Sequence, residues 1–162
     1  MSSKRILSVT VANKPGVLSR ITGLFSRRNF NINSLNVGET DNPEYSRMTI
    51  VVDANDRTLD QIKSQLDKLI EVIKITELDR SDIVDRDLAL IRVSSSRNQR
   101  SEIIQIVDTF RAKIVDLSTD TIMIEATGTS SKIEALIEIL KDFGIIDIVR
   151  TGIIALNRGV VE

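Results

Sequence analysis

The chain has no cysteine and no histidine. Without cysteine, disulfides, thiolate metal sites and cysteine nucleophiles are excluded. Without histidine, Ser-His-Asp and Cys-His triads, imidazole zinc sites and the usual neutral-pH general base disappear together. Aromatics are scarce: four Phe and one Tyr leave little from which to build a base-stacking platform. Charge of one sign is not in excess either. A net charge of −1 gives no electrostatic pull toward nucleic acid or an anionic membrane, so neither is expected as a partner. No apolar run approaches membrane-spanning length, and "MSSKRILSV" lacks an apolar core followed by a small-residue cleavage site. The expected location is the cytoplasm. No Gly-rich phosphate cradle is present, and the carboxylates are scattered without a pair suited to acid–base work, so no catalytic residue and no metal ligand is assigned.

What is present is periodicity. Residues 5–11 alternate, with Leu7, Val9 and Val11 on one face of a strand. The period then lengthens: Val17, Ile21, Leu24 and Phe25 form the stripe of a helix ending near Arg28. "NINSLNVGE" and "SRMTIVVD" read as two strands turned by the Asn-Pro of "TDNPEY". Leu59, Ile62, Leu66 and Leu69 mark a second helix, and "VIKITEL" closes the series as a β-branched strand. After "DRSDIVDRD", read as a polar linker, the order recurs. "LALIRVS" is a strand, Ile103, Ile106, Val107 and Phe110 a helix, "AKIVDLS" and "TIMIEAT" a hairpin, Ile133, Leu136, Ile137 and Leu140 a helix, and "IIDIVRTGI" the last strand. Each half reads β-α-β-β-α-β, the ferredoxin-like unit. The expected fold class is α+β with two such domains in tandem, over residues 1–80 and 81–162.

One stretch carries candidate chemistry. In "VANKPGVLSRITGLFSRRNFNINSL", Pro15 removes a donor and biases Asn13 and Lys14 toward extended geometry, while Gly16 admits conformations closed to other residues. The helix that begins there turns free N–H groups and its positive dipole end outward, a seat for a carboxylate. Asn31, just past the helix, offers an amide oxygen to an ammonium group and an N–H₂ to a carboxylate. That set suits a zwitterionic amino acid with an aliphatic side chain. The same residues also suit an ordinary strand-to-helix turn, and spacing alone leaves both readings open. Two further stretches read more simply. "VDANDRTLD" has carboxylates at calcium-loop offsets but lacks the glycine at position six and carries Ser64 where glutamate belongs, so it reads as a helix N-cap. "SSSRNQRSE" places Arg97 and Arg100 where a phosphate could bind, but reads better as a polar capped loop.

The run "ILSVTVANKPGVLSRITGLFSRRNFNINSLNVGETDNPEYSRMTIVV" resembles the N-terminal ACT domain of the regulatory small subunits of acetohydroxyacid (acetolactate) synthase. "GTSSKIEALIEIL" and "VRTGIIALNRG" resemble that family's C-terminal domain, so the likeness spans nearly the whole chain. It implies a protein without activity of its own that activates a thiamine-diphosphate-dependent catalytic large subunit and confers feedback inhibition by valine. The cofactors (thiamine diphosphate, Mg and FAD) would then sit on the catalytic subunit and none on this chain. The resemblance also implies a homodimer of side-by-side ACT domains with valine at their interface. Transferred position by position, Asn13, Pro15, Gly16, Val17 and Leu18 form the carboxylate-binding loop and helix start. Asn31 and Ile32 contact the ligand from the next strand, of the same chain or the partner. Residue type leaves leucine and isoleucine as competitors of valine, since one methylene in an apolar pocket discriminates by only about 1–3 kcal/mol. The alternatives are an ACT amino-acid sensor of a different biosynthetic enzyme, a ferredoxin-like RNA-binding domain and an enzyme in its own right. The missing aromatic strand and basic excess count against the second, and the missing His, Cys and phosphate loop against the third.

Overall fold

A computed structural model describes residues 2–159. The chain forms two compact units: residues 2–84 with 154–159, and residues 85–153.

In the first unit, β1 (Ser3–Ala12), β2 (Ile32–Glu39), β3 (Tyr45–Ala54) and β4 (Val72–Leu78) form an antiparallel sheet of order β2-β3-β1-β4. The helices α1 (Val17–Arg27) and α2 (Asp56–Asp67) are connections between its strands. Alternation puts Leu7, Val9 and Val11 of β1 and Met48, Ile50 and Val52 of β3 on one face. There they meet Val17, Ile21, Leu24 and Phe25 of α1 and Leu59, Ile62 and Leu66 of α2 in one core cluster. Helix α1 stops where Asn29 turns to a φ of 58° and the Phe30 N–H returns to the Phe25 carbonyl at 2.9 Å. The Phe25 and Phe30 rings then meet edge to face with centroids 6.1 Å apart. Helix α2 opens on Asn55, whose side chain accepts from the Thr58 N–H at 2.8 Å, as the capping reading of "VDANDRTLD" expects.

The second unit repeats this topology. β5 (Ile83–Ser94), β6 (Lys113–Leu117), β7 (Thr121–Gly128) and β8 (Ile145–Arg150) run in the order β6-β7-β5-β8, with α3 (Arg100–Thr109) and α4 (Ser130–Leu140) as the connecting helices. Its core gathers Ala89, Ile91 and Val93, Ile122, Ile124 and Ala126, and the helix residues Ile103, Val107, Ile133, Leu136 and Leu140. The α+β class with two ferredoxin-like units is therefore as the pattern dictates.

Two expectations need correction. The second half of "DRSDIVDRD" is not linker but the start of β5. Its inward positions do alternate, from Ile83 to Asp87 and Ala89, but Asp87 is a carboxylate buried as completely as the core around it, so a hydrophobic pattern breaks there. "IIDIVRTGI" is not one strand either. β8 stops at Arg150, the chain turns through Gly152 at a φ of 84°, and a short strand β9 (Ile154–Asn157) pairs with β5. The domain boundary expected after residue 80 therefore falls after residue 84, and residues 154–159 return to the first unit.

One ion cluster ties β1 to β4. Arg5 donates to Glu77 Oε1 through Nε at 2.9 Å and Nη2 at 2.5 Å, and Lys63 Nζ reaches Glu77 Oε2 at 3.1 Å. Burial alone would raise the Glu77 pKa, but the hydrogen bonds and charges of Arg5 and Lys63 outweigh it and hold the carboxyl below its ordinary value. A depressed folded-state pKa contributes stability that is complete above the ordinary glutamate range and is lost as pH falls through the lowered value. Glu77→Gln should therefore cost about 1 kcal/mol or less at neutral pH and flatten the acid limb of a stability–pH curve. Denaturant midpoints of both proteins across the acid range check this, and parallel curves would contradict it.

Candidate functional site

The NKPG loop is held from both sides. Ala12 N–H donates to the Glu71 carbonyl and Asn13 N–H to the Glu44 carbonyl, each at 2.8 Å, while Arg20 of α1 pairs with the Glu71 carboxylate. The Asn13 side chain closes the loop onto the β2–β3 hairpin: Nδ2 donates to Glu39 Oε1 at 3.1 Å and to the Pro43 carbonyl at 2.9 Å. Two acceptors fix which end of the amide is nitrogen, and both its protons are spent. Only Oδ1 is left for a ligand, so Asn13 suits an ammonium group rather than a carboxylate.

Gly16 sits at the N-cap of α1 with a φ of 86°. That left-handed conformation swings the following N–H groups outward, and an added Cβ would be strained by the backbone although nothing lies within 4 Å of it. Helix α1 has no side-chain cap and no acidic residue in its first turn. Helices α2 and α4 are instead closed by Asn55 and Thr129. Val17 N–H is taken by the Lys14 carbonyl at 3.4 Å, but those of Gly16, Leu18 and Ser19 have no acceptor among the described residues. The loop thus leaves three backbone donors unpaired at the positive end of a helix dipole, with no acidic residue in the first turn to compete for them.

The expected residues divide by role. Pro15 and Gly16 shape the loop. Val17 is buried in the core and supplies neither a side chain nor an N–H, so it anchors the helix start. Leu18 is 45% exposed and lies next to the free donors, available to an aliphatic side chain. Ser19 lies outside the set expected from the sequence. It contributes through its backbone N–H, which any helix starting at Val17 leaves open at this position.

Asn31 and Ile32 are not brought to this loop within one protomer. They follow the far end of α1, an 11-residue helix of about 16 Å. The strand register says the same: Ala12 lies opposite Tyr45 of β3, whereas Ile32 lies opposite Val52, seven residues along that strand, about 23 Å. Asn31 is exposed with its amide unpartnered among the described residues, and Ile32 packs half-buried on the first core.

The other sequence candidates are structural. In "SSSRNQRSE", Arg100 Nη2 is committed to the Ser118 and Thr119 carbonyls, both at 2.7 Å, and so pins the β6–β7 turn to α3 rather than facing a phosphate. In the second unit Asp87 receives Arg150 through Nε at 3.0 Å and Nη2 at 2.5 Å, the Thr151 hydroxyl at 3.3 Å and the Gly152 N–H at 3.2 Å. The "RTG" of the sequence is therefore a clasp around one buried carboxylate.

Sequence comparison assigns one family model to the first sheet and another to the second unit together with the segment 154–159. Residues 7–74 match the model of the "AHAS small subunit-like ACT domain", and residues 86–159 that of the "Small subunit of acetolactate synthase". The acetolactate synthase small subunit of Mycolicibacterium smegmatis is 52% identical over 153 residues, covering 94% of this chain and 90% of the relative. That of Bacillus subtilis is 49% identical over 157 residues, 96% of this chain and 91% of its own length. The chain belongs to the acetolactate synthase small-subunit family. The crystal structure of the Thermotoga maritima acetolactate synthase small subunit superposes with a TM-score of 0.90 at 43% identity, covering 98% of this chain and 99% of that one. Residues 7–74 of the first unit are thus the family's ACT domain, and the Asp87 clasp lies within the stretch matched by its small-subunit model. Membership in a small-subunit family implies a catalytic large subunit as partner. No helix among the described residues is long and apolar enough to cross a membrane.

Proposed function

We propose that this chain is a non-catalytic, cytoplasmic regulatory subunit that raises the activity of a thiamine-diphosphate-dependent acetolactate synthase catalytic subunit and makes it sensitive to valine. The observation that carries the valine reading is the open start of α1. Three N–H donors there are left without acceptors among the described residues, with no side-chain cap and no acid, in a loop pinned in place by Asn13. Valine's carboxylate takes the Gly16, Leu18 and Ser19 donors, and its isopropyl group lies against Leu18. The ammonium group needs acceptors, which Asn13 Oδ1 supplies from one side.

The second acceptor comes from another copy of the chain. β2 and β4 are the edges of the first sheet, and an unpaired edge invites pairing. Antiparallel β2–β2 pairing about a two-fold axis sets the start of one β2 beside the end of the other. The end of β2 is Glu39, which Asn13 already grips, so the partner's strand start arrives at this loop. Each dimer then has two valine sites, each built from residues 13–19 of one protomer and Asn31 and Ile32 of its partner. Ligand binding and dimer geometry are thereby coupled, which is what a regulatory subunit needs in order to transmit occupancy.

The test of the function is reconstitution. The purified chain alone should form no acetolactate from pyruvate. Mixed with its catalytic subunit, it should raise the rate, and valine should then lower it. Turnover by the pure chain, or an unchanged rate on mixing, would overturn the reading.

A further inference from the structure

The face of the first sheet turned away from α1 and α2 carries three rows of side chains set by strand register. Thr10 lies between Arg47 and Lys74, Ser8 between Thr49 and Thr76, and Ile6 between Val51 and Leu78. Rows on one face are about 7 Å apart, so the surface grades over a short distance from cationic through hydroxyl to apolar. The apolar end is sealed: Ile6, Val51 and Leu78 are buried, as is Ala155 of β9. The cationic end is open, and between the two lies a cavity of about 310 Å³. Ser8, Thr10, Arg47, Lys74 and Thr76 line it from the sheet, and residues 155–157 and Gly159 line it from the opposite side, all within the first unit.

The charges in this cavity are uncompensated. Arg5, Arg20, Lys63 and Arg150 all find carboxylates, but Arg47 and Lys74 have no ion pair or hydrogen bond among the described residues, and the three rows contain no acid. The backbones of Arg47 and Lys74 stand about 10 Å apart on either side of Thr10, so both long side chains can reach one doubly charged group between them. The hydroxyls of Ser8, Thr10 and Thr76 donate or accept as required. The volume suits a small organic molecule.

We propose that this cavity is a second ligand site, on the opposite face of the sheet from the α1 loop, for a small organic molecule with a dianionic head. The head is a phosphate monoester or a pair of carboxylates and lies between Arg47 and Lys74. Its polar middle meets Ser8 and Thr76, and its apolar end points to Leu78 and Ala155.

Calorimetric titration of the full-length chain with glycerol 2-phosphate and with succinate, against sodium chloride as the ionic control, tests this. At least one of the two should bind at one per chain, and which of them binds separates the phosphate head from the carboxylate pair. Arg47→Gln and Lys74→Gln should each weaken that binding by about tenfold, the double variant should show none, and circular dichroism should stay unchanged because both residues are exposed. Equal affinity in the wild type and the double variant would overturn the proposal, as would binding of neither probe at millimolar concentration. So would a double variant that has lost the catalytic subunit while the wild type binds neither probe, since the face would then be a protein-docking surface.

Discussion

Gly16→Asp should abolish feedback inhibition by valine while leaving activation of the catalytic subunit in place. The cause is electrostatic. The new carboxylate projects into open space beside the Gly16, Leu18 and Ser19 donors, where it takes the role of valine's own carboxylate and opposes its charge. Folding should tolerate the change. Aspartate is among the residues that enter left-handed conformations, and an added Cβ meets no atom within 4 Å, so the backbone cost is about 1 kcal/mol. The loss of about 3 kcal/mol or more in valine binding corresponds to over a hundredfold in affinity. Inhibition depends on valine's differential affinity for the inhibited state, so the inhibition curve should move beyond ordinary valine concentrations. Asn31→Ala should act in the same direction more mildly, since it removes amide partners without adding charge. A valine titration of the reconstituted complex measures both variants. Unchanged half-inhibition in Gly16→Asp would mean that the loop is only a turn.

The second large effect is expected in the other unit. Arg150→Leu should destabilise residues 85–153 by about 3–5 kcal/mol, because it strands a buried carboxylate without its charge partner. The Asp87 side chain is 1% exposed, and the Thr151 hydroxyl and Gly152 N–H cannot replace a guanidinium. Asp87→Asn should cost less, about 1–3 kcal/mol, because it leaves no buried charge and Arg150, at 30% exposure, can turn to water. Hydrogen exchange resolved by segment reads this directly. Protection should fall across 85–153 more in Arg150→Leu than in Asp87→Asn, and the reverse order would refute the account of the clasp.

These two sites mark what was and was not legible in the sequence. The helix stripes and strand alternation were visible because each core position in them is apolar, and two cores built this way define the topology. Asp87 is hidden for the same reason: it occupies an inward position of β5 but has the character of a surface residue, so the first part of the strand reads as linker. "RTG" stood out as a motif, yet its purpose required knowing that Asp87 lies across the sheet from it, 63 residues away in the chain. At the candidate site, the Pro-Gly pair announced the turn and the helix start, and from those the free donors follow. That Asn13 spends both amide protons on Glu39 and Pro43 did not follow, because it depends on the β2–β3 hairpin folding back onto the loop. Nor did the separation of Asn31 from Gly16, since sequence proximity across a helix conceals the helix's full length.

That separation supplies the most direct test of the central claim, a valine site shared between two protomers. Calorimetric titration of valine should be made on the wild type, on each variant homodimer, and on a mixed dimer with Gly16→Asp in one copy and Asn31→Ala in the other. If the site is shared, the two changes fall in the same site of the mixed dimer and leave the other intact. It should then bind valine at wild-type affinity with half the wild-type stoichiometry. A mixed dimer with no site of wild-type affinity would place loop and strand in the same chain and contradict the account.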